Sequence, residues 1–180
     1  MDSPLTDSPI TPINEAQKVE VISATNRCIE KAAKLYQNDF ATVTVAFDLF
    51  GKCAGMYQRK NQERRIRYNP WLFAKYYQHS LEQTVPHEVA HYITDCLWGT
   101  KSIKPHGKEW KSVVVALGGE PKATGNYSLK GIPVKQYQRF AYQCGCKTHY
   151  LTAIRHGKIL LGKASYHCQL CGQPLRILAK

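Results

Sequence analysis

Residues 87 to 91 read His-Glu-Val-Ala-His and stand inside the apolar stretch LEQTVPHEVAHYITDCLWG, which Gly99 closes. In an α-helix, positions four apart lie one turn apart on the same face, so this stretch brings the imidazoles of His87 and His91 to one point while Val89, Ala90 and Ile93 can face a core. Two neutral imidazoles at that spacing suit a zinc ion, which in catalytic sites keeps three protein ligands and leaves a fourth position for water. Glu88, beside the first ligand, can turn toward that water as general base. The competing reading is a helix whose histidines only hydrogen-bond within a core. Glu88 argues for catalysis, because a purely structural zinc site needs no base.

The third ligand has to come from downstream. The longer spacing H-E-x-x-H-x-x-G-x-x-H is absent, since Thr94 stands where its Gly would be and Leu97 where its last His would be. Asp95, His106 and Glu109 remain. Asp95 lies one turn beyond His91 and can ligate, or accept a hydrogen bond that fixes a histidine tautomer. His106 follows Pro105 and opens PHGKEWKSV after a loop long enough to fold back on the first helix. Glu109 reads more simply as a surface carboxylate. His106 is favoured, with Trp110 as packing.

Around this helix the spacing predicts an α+β chain. Residues 1–13, with three prolines among Ser, Thr and Asp, read as a mobile tail. Apolar residues at helical spacing give an amphipathic helix over 14–36, TVTVAF over 42–47 gives a strand, and 54–58 with 64–68 give a hairpin that Asn69 and Pro70 end. A helix follows over 71–79. The next begins either at Thr84, with Pro86 in its first turn, or at Ser80, with Gln83 completing a capping box and Pro86 kinking it. Residues 107–117 form a further helix. The expected organisation is thus a metal-binding core of helices and a small antiparallel sheet over 14–118, a Gly- and Pro-rich linker over 119–139 and a small basic subdomain over 140–180. Tyr127 and Tyr137 lie near the linker without an assigned role.

That subdomain carries Cys144, Cys146, Cys168 and Cys171. In a chain without a secretory signal, such pairs read as metal ligation before disulfides. Cys168-x-x-Cys171-Gly172 has the spacing of a zinc knuckle, and Cys144-Gly145-Cys146 is one residue shorter than usual. The repeated Tyr-x-Cys supports two similar halves, with YLTAI and KILLG between them as two short strands. The four cysteines give a closed structural zinc site, with His149 or His167 as substitutes for Cys146 should the shorter half strain.

The net charge is +12, and it is uneven: residues 1–100 balance, whereas 101–180 hold fourteen Lys and Arg against Glu109 and Glu120 alone. A local positive field attracts a polyanion. Lys135, Arg139, Lys147, Arg155, Lys158 and Lys163, interleaved with Tyr137, Phe140, Tyr142, Tyr150 and Tyr166, suit phosphates and unpaired bases, hence single-stranded or distorted nucleic acid. The plain alternative is tyrosines that pack a small fold and charges that solvate it. No apolar run approaches a membrane span, and the N-terminus lacks a signal-peptide block, so no membrane partner and a cytoplasmic, nucleoid-associated location are expected.

The blocks TVPHEVAHYI and PHGKEWKSV, the strand RIRYNPWLF before them, and YQCGC with RHGKILLGKASYHCQLCGQPL after them resemble the SprT family, the bacterial relatives of the DNA-dependent protease Spartan. The resemblance covers most of residues 50–180. It implies a zincin-like metalloprotease core followed by a zinc-ribbon-like β subdomain, catalytic zinc on His87, His91 and His106, and Glu88 as the catalytic residue. It also implies that the strand 64–68 lies beside the cleft, where an exposed edge holds an extended substrate by strand addition. DNA and proteins bound or crosslinked to it are the partners so implied. The principal alternative is a nucleic-acid-binding zinc protein whose H-E-x-x-H site is structural or regulatory.

Overall fold

Asn14 starts the first helix: its side chain accepts the Gln17 N–H at 2.9 Å while the Gln17 side chain accepts the Asn14 N–H at 3.0 Å, a reciprocal cap that satisfies two otherwise orphan donors. Helix α1 (Glu15–Tyr36) buries Val21, Thr25, Ile29 and Ala32 at the expected period. The computed structural model describes residues 10–99, 102–123, 125–134 and 138–178. They divide into two compact units, 1–134 and 135–180, each mixed α and β. Residues 1–9, most of the predicted tail, lie outside the described residues.

In the first unit, β1 (Thr44–Ala46), β2 (Gly55–Lys60) and β3 (Glu63–Tyr68) form one sheet in the order β1-β3-β2. The tight connection of β2 to β3 puts Asn61 at φ 56°, a left-handed conformation that Asn tolerates. Two expectations need correction here. The sheet is mixed and not antiparallel, because β1 pairs with β3 in parallel, Val45 opposite Ile66, while β2 pairs with β3 antiparallel, Tyr57 opposite Ile66. The strand expected to offer an open edge, 64–68, is therefore central, with both sides paired; the edge strands are β1 and β2, and β2 is the one that meets Glu88.

Asn69 caps α2 (Pro70–Lys75), accepting the N–H groups of Trp71 and Leu72, with Pro70 in the first turn. The short α3 (Tyr77–His79) runs into a π-helical turn, Ser80–Thr84, and then into α4 (Val85–Trp98). In an unbroken α-helix the Pro86 N–H would be owed to the carbonyl of Glu82; proline has none, and the turn ahead of it widens so that Val85 N donates to Ser80 O. Gln83 completes no capping box, since its Oε1 instead accepts the Glu120 N–H at 2.8 Å. Helix α4 packs against α1, α5 (Lys108–Leu117) and the β2–β3 hairpin. Val89 and Ile93 of α4 are fully buried with Ile66, Tyr68 and Trp110, and burial of each such aliphatic side chain contributes about 1.5–3 kcal/mol.

Residues of the predicted linker belong to this unit as well. Ile132 is buried with Ala54 and Leu72, Lys75 Nζ donates to the carbonyls of Ser128 and Lys130, and Ile10 N donates to Gly131 O at 3.0 Å.

The second unit has a sheet in the order β5-β4-β6, from β4 (Arg139–Gln143), β5 (Thr148–Thr152) and β6 (Arg176–Ile177). Its other correction concerns KILLG, expected as a strand: it ends a helix, α6 (Ala153–Leu160). Thr152 Oγ1 caps that helix by accepting Arg155 N–H. His156 then stacks flat on Phe140, ring centroids 3.7 Å apart, and its Nδ1 meets the Tyr142 hydroxyl at 2.9 Å. These contacts to β4 hold the segment as a helix on the sheet.

Candidate functional site

Helix α4 supplies His87 and His91 from one face, and the turn before α5 supplies His106. His91 Nε2 lies 3.1 Å from His106 Nε2, which lies 3.4 Å from His87 Nε2. Tetrahedral zinc with bonds of about 2.0–2.1 Å needs about 3.3 Å between its nitrogens, so the donor set fits that ion. Trp110, fully buried, touches all three rings, with centroids 4.7 Å from His87, 5.4 Å from His91 and 4.7 Å from His106. Its Nε1 donates to His87 O at 3.3 Å.

Burial holds the imidazoles neutral, as ligation requires. The pKa of His87 is lowered to about 4, by desolvation first and then by His106. That of His91 is lowered to about 3, by desolvation and then by His87 and His106. Desolvation lowers His106 as well. The other two candidates for third ligand lie outside the metal-holding group: Asp95 is engaged by the β2–β3 hairpin, and Glu109 approaches Lys108 at 3.9 Å.

Glu88 is buried beside the centre, its Oε1 4.0 Å from His87 Nε2 and its Oε2 accepting the Tyr57 N–H at 2.7 Å. Desolvation pushes its pKa up to about 8, against the Tyr57 hydrogen bond, which lowers it. Both His87 and Glu88 line a cleft of about 690 Å³ together with Gly55, Thr84 and Tyr127. The backbone of β2 passes so close that a Cβ at Gly55 would lie 2.6 Å from Glu88 Cγ. Sequence reasoning missed Tyr57 altogether and left Tyr127 unassigned; the Tyr127 hydroxyl reaches Thr84 Oγ1 at 3.2 Å. No spacing rule marks either residue, because Tyr57 meets Glu88 and Tyr127 meets Thr84 only through pairings distant in sequence.

In the second unit, one ligand atom each from Cys144, Cys146, Cys168 and Cys171 falls within 4.8 Å of all the others. The Sγ of Cys146 is 3.4 Å from that of Cys144 and 3.6 Å from that of Cys168, against about 3.8 Å between sulfurs in a tetrahedral zinc site with 2.3 Å bonds. Such a group can hold a metal ion, zinc included, as can the three histidines. Between the two cysteines of the short half, the Gly145 N–H donates to Gln173 Oε1 at 2.9 Å. Backbone N–H groups stabilise the thiolates. That of Cys146 is the main cause holding Cys144 down at about 5, and those of Cys171 and Leu170 lower Cys168. Cys146 is pushed up to about 12, chiefly by its hydrogen bond with Cys144. His149 Nε2 lies 3.3 Å from Cys144 Sγ, outside the four-thiol group, as a hydrogen-bond partner; His167 also stands apart from it.

Arg139, Lys147, Arg155, Lys158 and Lys163 are all exposed, while Lys135 and Tyr137 lie outside the described residues. Of the interleaved aromatics, Tyr150 is exposed, but Tyr142 is 1% exposed and packs the sheet, so it is not free to stack on a base. Tyr166 lies beneath the Arg155 guanidinium, 5.5 Å from its centroid. No helix among the described residues is long and apolar enough to cross a membrane.

The sequence profile of the SprT-like family matches residues 25–138, which span the C-terminal half of α1, the sheet of the first unit, the three histidines and Glu88. The chain is 39% identical over 150 residues to Protein SprT of Vibrio parahaemolyticus, covering 82% of this chain and 86% of that one. It is 36% identical over 155 residues to Protein SprT of Actinobacillus succinogenes, covering 86% and 87%. With Protein SprT of Photorhabdus laumondii it shares 38% identity over 144 residues, covering 79% and 71%. None of the solved structures matches the chain.

Proposed function

The chain belongs to the SprT-like family, and from that premise we propose that it is a zinc-dependent endopeptidase with a zincin-like core, directed by DNA toward proteins bound or crosslinked to it. The observation that carries the reading is a converged three-imidazole set with a buried carboxylate beside it; His87 and Glu88 of this group line the cleft. His87, His91 and His106 would hold the catalytic zinc. The four cysteines would hold a second, structural ion. When bound, zinc polarises a scissile carbonyl and acidifies water.

The protein's own groups account for the rest. Glu88 has one oxygen fixed by the Tyr57 amide, which leaves Oε1 to take a proton from the attacking water and deliver it to the departing amine nitrogen. Strand β2 has no strand paired to its outer side among the described residues, although its Tyr57 N–H is already given to Glu88, and an extended peptide can pair with the rest of that edge. The exposed basic residues of the second unit would hold the DNA phosphates, and proximity on the polymer would select the substrate.

Cleavage of a DNA-binding protein by the zinc-loaded chain, with and without single-stranded DNA, tests this reading, with Glu88→Gln as control. DNA-stimulated cleavage by the wild type, absent in a Glu88→Gln variant that still binds zinc and DNA, is expected. A chain that binds DNA and cuts nothing would transfer the function to a nucleic-acid-binding zinc protein.

A further inference from the structure

The wholly buried Asp95 carboxylate accepts the Tyr57 hydroxyl at 2.6 Å, Arg59 Nη1 at 3.0 Å and Arg64 Nε at 2.9 Å. All three donors come from the β2–β3 hairpin, whereas Asp95 belongs to α4, so the cluster ties hairpin to helix. Burial alone would raise the Asp95 pKa, but the hydrogen bonds from Tyr57, Arg64 and Arg59 outweigh it and hold the group below its ordinary value. Such charge-assisted bonds to one carboxylate define geometry as well as energy.

Tyr57 connects this cluster to the reaction chemistry. Its hydroxyl is fixed by Asp95, and its amide donates to Glu88 Oε2 at 2.7 Å. Glu88 and Asp95 stand seven residues apart on α4, close to two full turns and hence on one face. Tyr57 thus spans two carboxylates of one helix, with its side chain on Asp95 and its backbone on Glu88. Release of the phenol frees the strand segment whose amide orients Glu88.

We propose that Asp95 is a positioning residue: through Tyr57 it sets the edge strand β2 against α4 and thereby fixes the orientation of the Glu88 carboxylate. Its kinetic consequence rests on the peptidase reading above; the positioning itself is measurable without catalysis.

Amide hydrogen exchange on the zinc-loaded full chain, compared among wild type, Asp95→Asn and Tyr57→Phe, reads the positioning. Tyr57→Phe removes one hydroxyl and keeps both arginine pairs, which covers the case in which Asp95→Asn fails to fold. In the variants the Tyr57 amide should exchange about tenfold faster or more, while Met56 and Gln58, directed at β3, change less than about twofold. In the cleavage assay kcat should fall about tenfold, with KM and zinc content within about twofold of wild type. Unaltered Tyr57 exchange in Tyr57→Phe overturns the proposal whatever the cleavage does. Faster exchange with unchanged kcat, in a chain that cleaves, overturns it too. A wild type that cleaves nothing refutes the peptidase reading instead, and the exchange rates then decide the positioning alone.

Discussion

At Gly55 the edge strand and the candidate base come closest. A Cβ there would stand 2.6 Å from Glu88 Cγ, 2.8 Å from its Oε1 and 2.9 Å from Thr84 Cγ2. Glu88 is buried and cannot swing aside. Gly55→Ala should therefore cost about 1–3 kcal/mol as overpacking, read as a lower denaturation midpoint, and should depress cleavage while zinc content persists. The residue scale also shows where sequence reading stops. His87, Glu88 and His91 were legible because four-residue spacing on a helix is a local rule. Asp95 lies on the same helix, yet its partners Tyr57, Arg59 and Arg64 sit 38, 36 and 31 positions away. No spacing in α4 reveals that the hairpin has claimed it.

Among the elements, α1, α4 and α5 were readable from their helical period, with the Asn14 cap opening α1 and Gly99 and Gly118 closing α4 and α5, whereas the start of α4 was left open between Ser80 and Thr84. The side-by-side pairing of β1 with β3 was not, since strand order is settled by packing between segments distant in the chain. KILLG fits either a strand or a helix end by its own composition; the Thr152 cap and the His156–Phe140 stack decide it. The cysteine knuckles were readable for the opposite reason, as their ligands are close in sequence. Cys171→Ser should lower bound metal from two ions to one per chain and abolish exchange protection in 138–178, while the denaturation midpoint of the first unit stays unchanged. Elemental analysis and hydrogen exchange read the two effects separately. A variant that keeps both ions would remove the structural-zinc assignment.

On the scale of the molecule, acid and base act on the metal-free protein in opposite directions. His87 and His91 have folded values of about 4 and 3 against 6.5 unfolded. Their contribution is present above pH 6.5 and is lost as pH falls below it, because the unfolded chain then binds more protons. Glu88 has a folded value of about 8 against 4.5 unfolded, so its contribution is present below pH 4.5 and is lost as pH rises through 8. With two imidazoles against one carboxylate, the denaturant midpoint of the first unit in the metal-free chain should peak at about pH 6.5–7. A midpoint that climbs steadily to pH 9 would contradict the assigned burial of Glu88. The excess positive charge confined to 101–180 makes a separate prediction. Arg155→Glu with Lys158→Glu should weaken single-strand binding and reduce the slope of log affinity against log salt by about 0.7 for each phosphate no longer neutralised, as salt titrations would read.

The indole of Trp110 sits against all three imidazoles and is wholly shielded from water, whereas Trp98 is exposed and Trp71 partly so. Its emission should be blue-shifted and separable from theirs, and its excited state is within contact range of whatever the histidines hold. Cobalt or copper entering that centre would quench it, and a chelator would restore it. The packing residue of the site is thus also a built-in optical gauge of its occupancy, readable without a substrate.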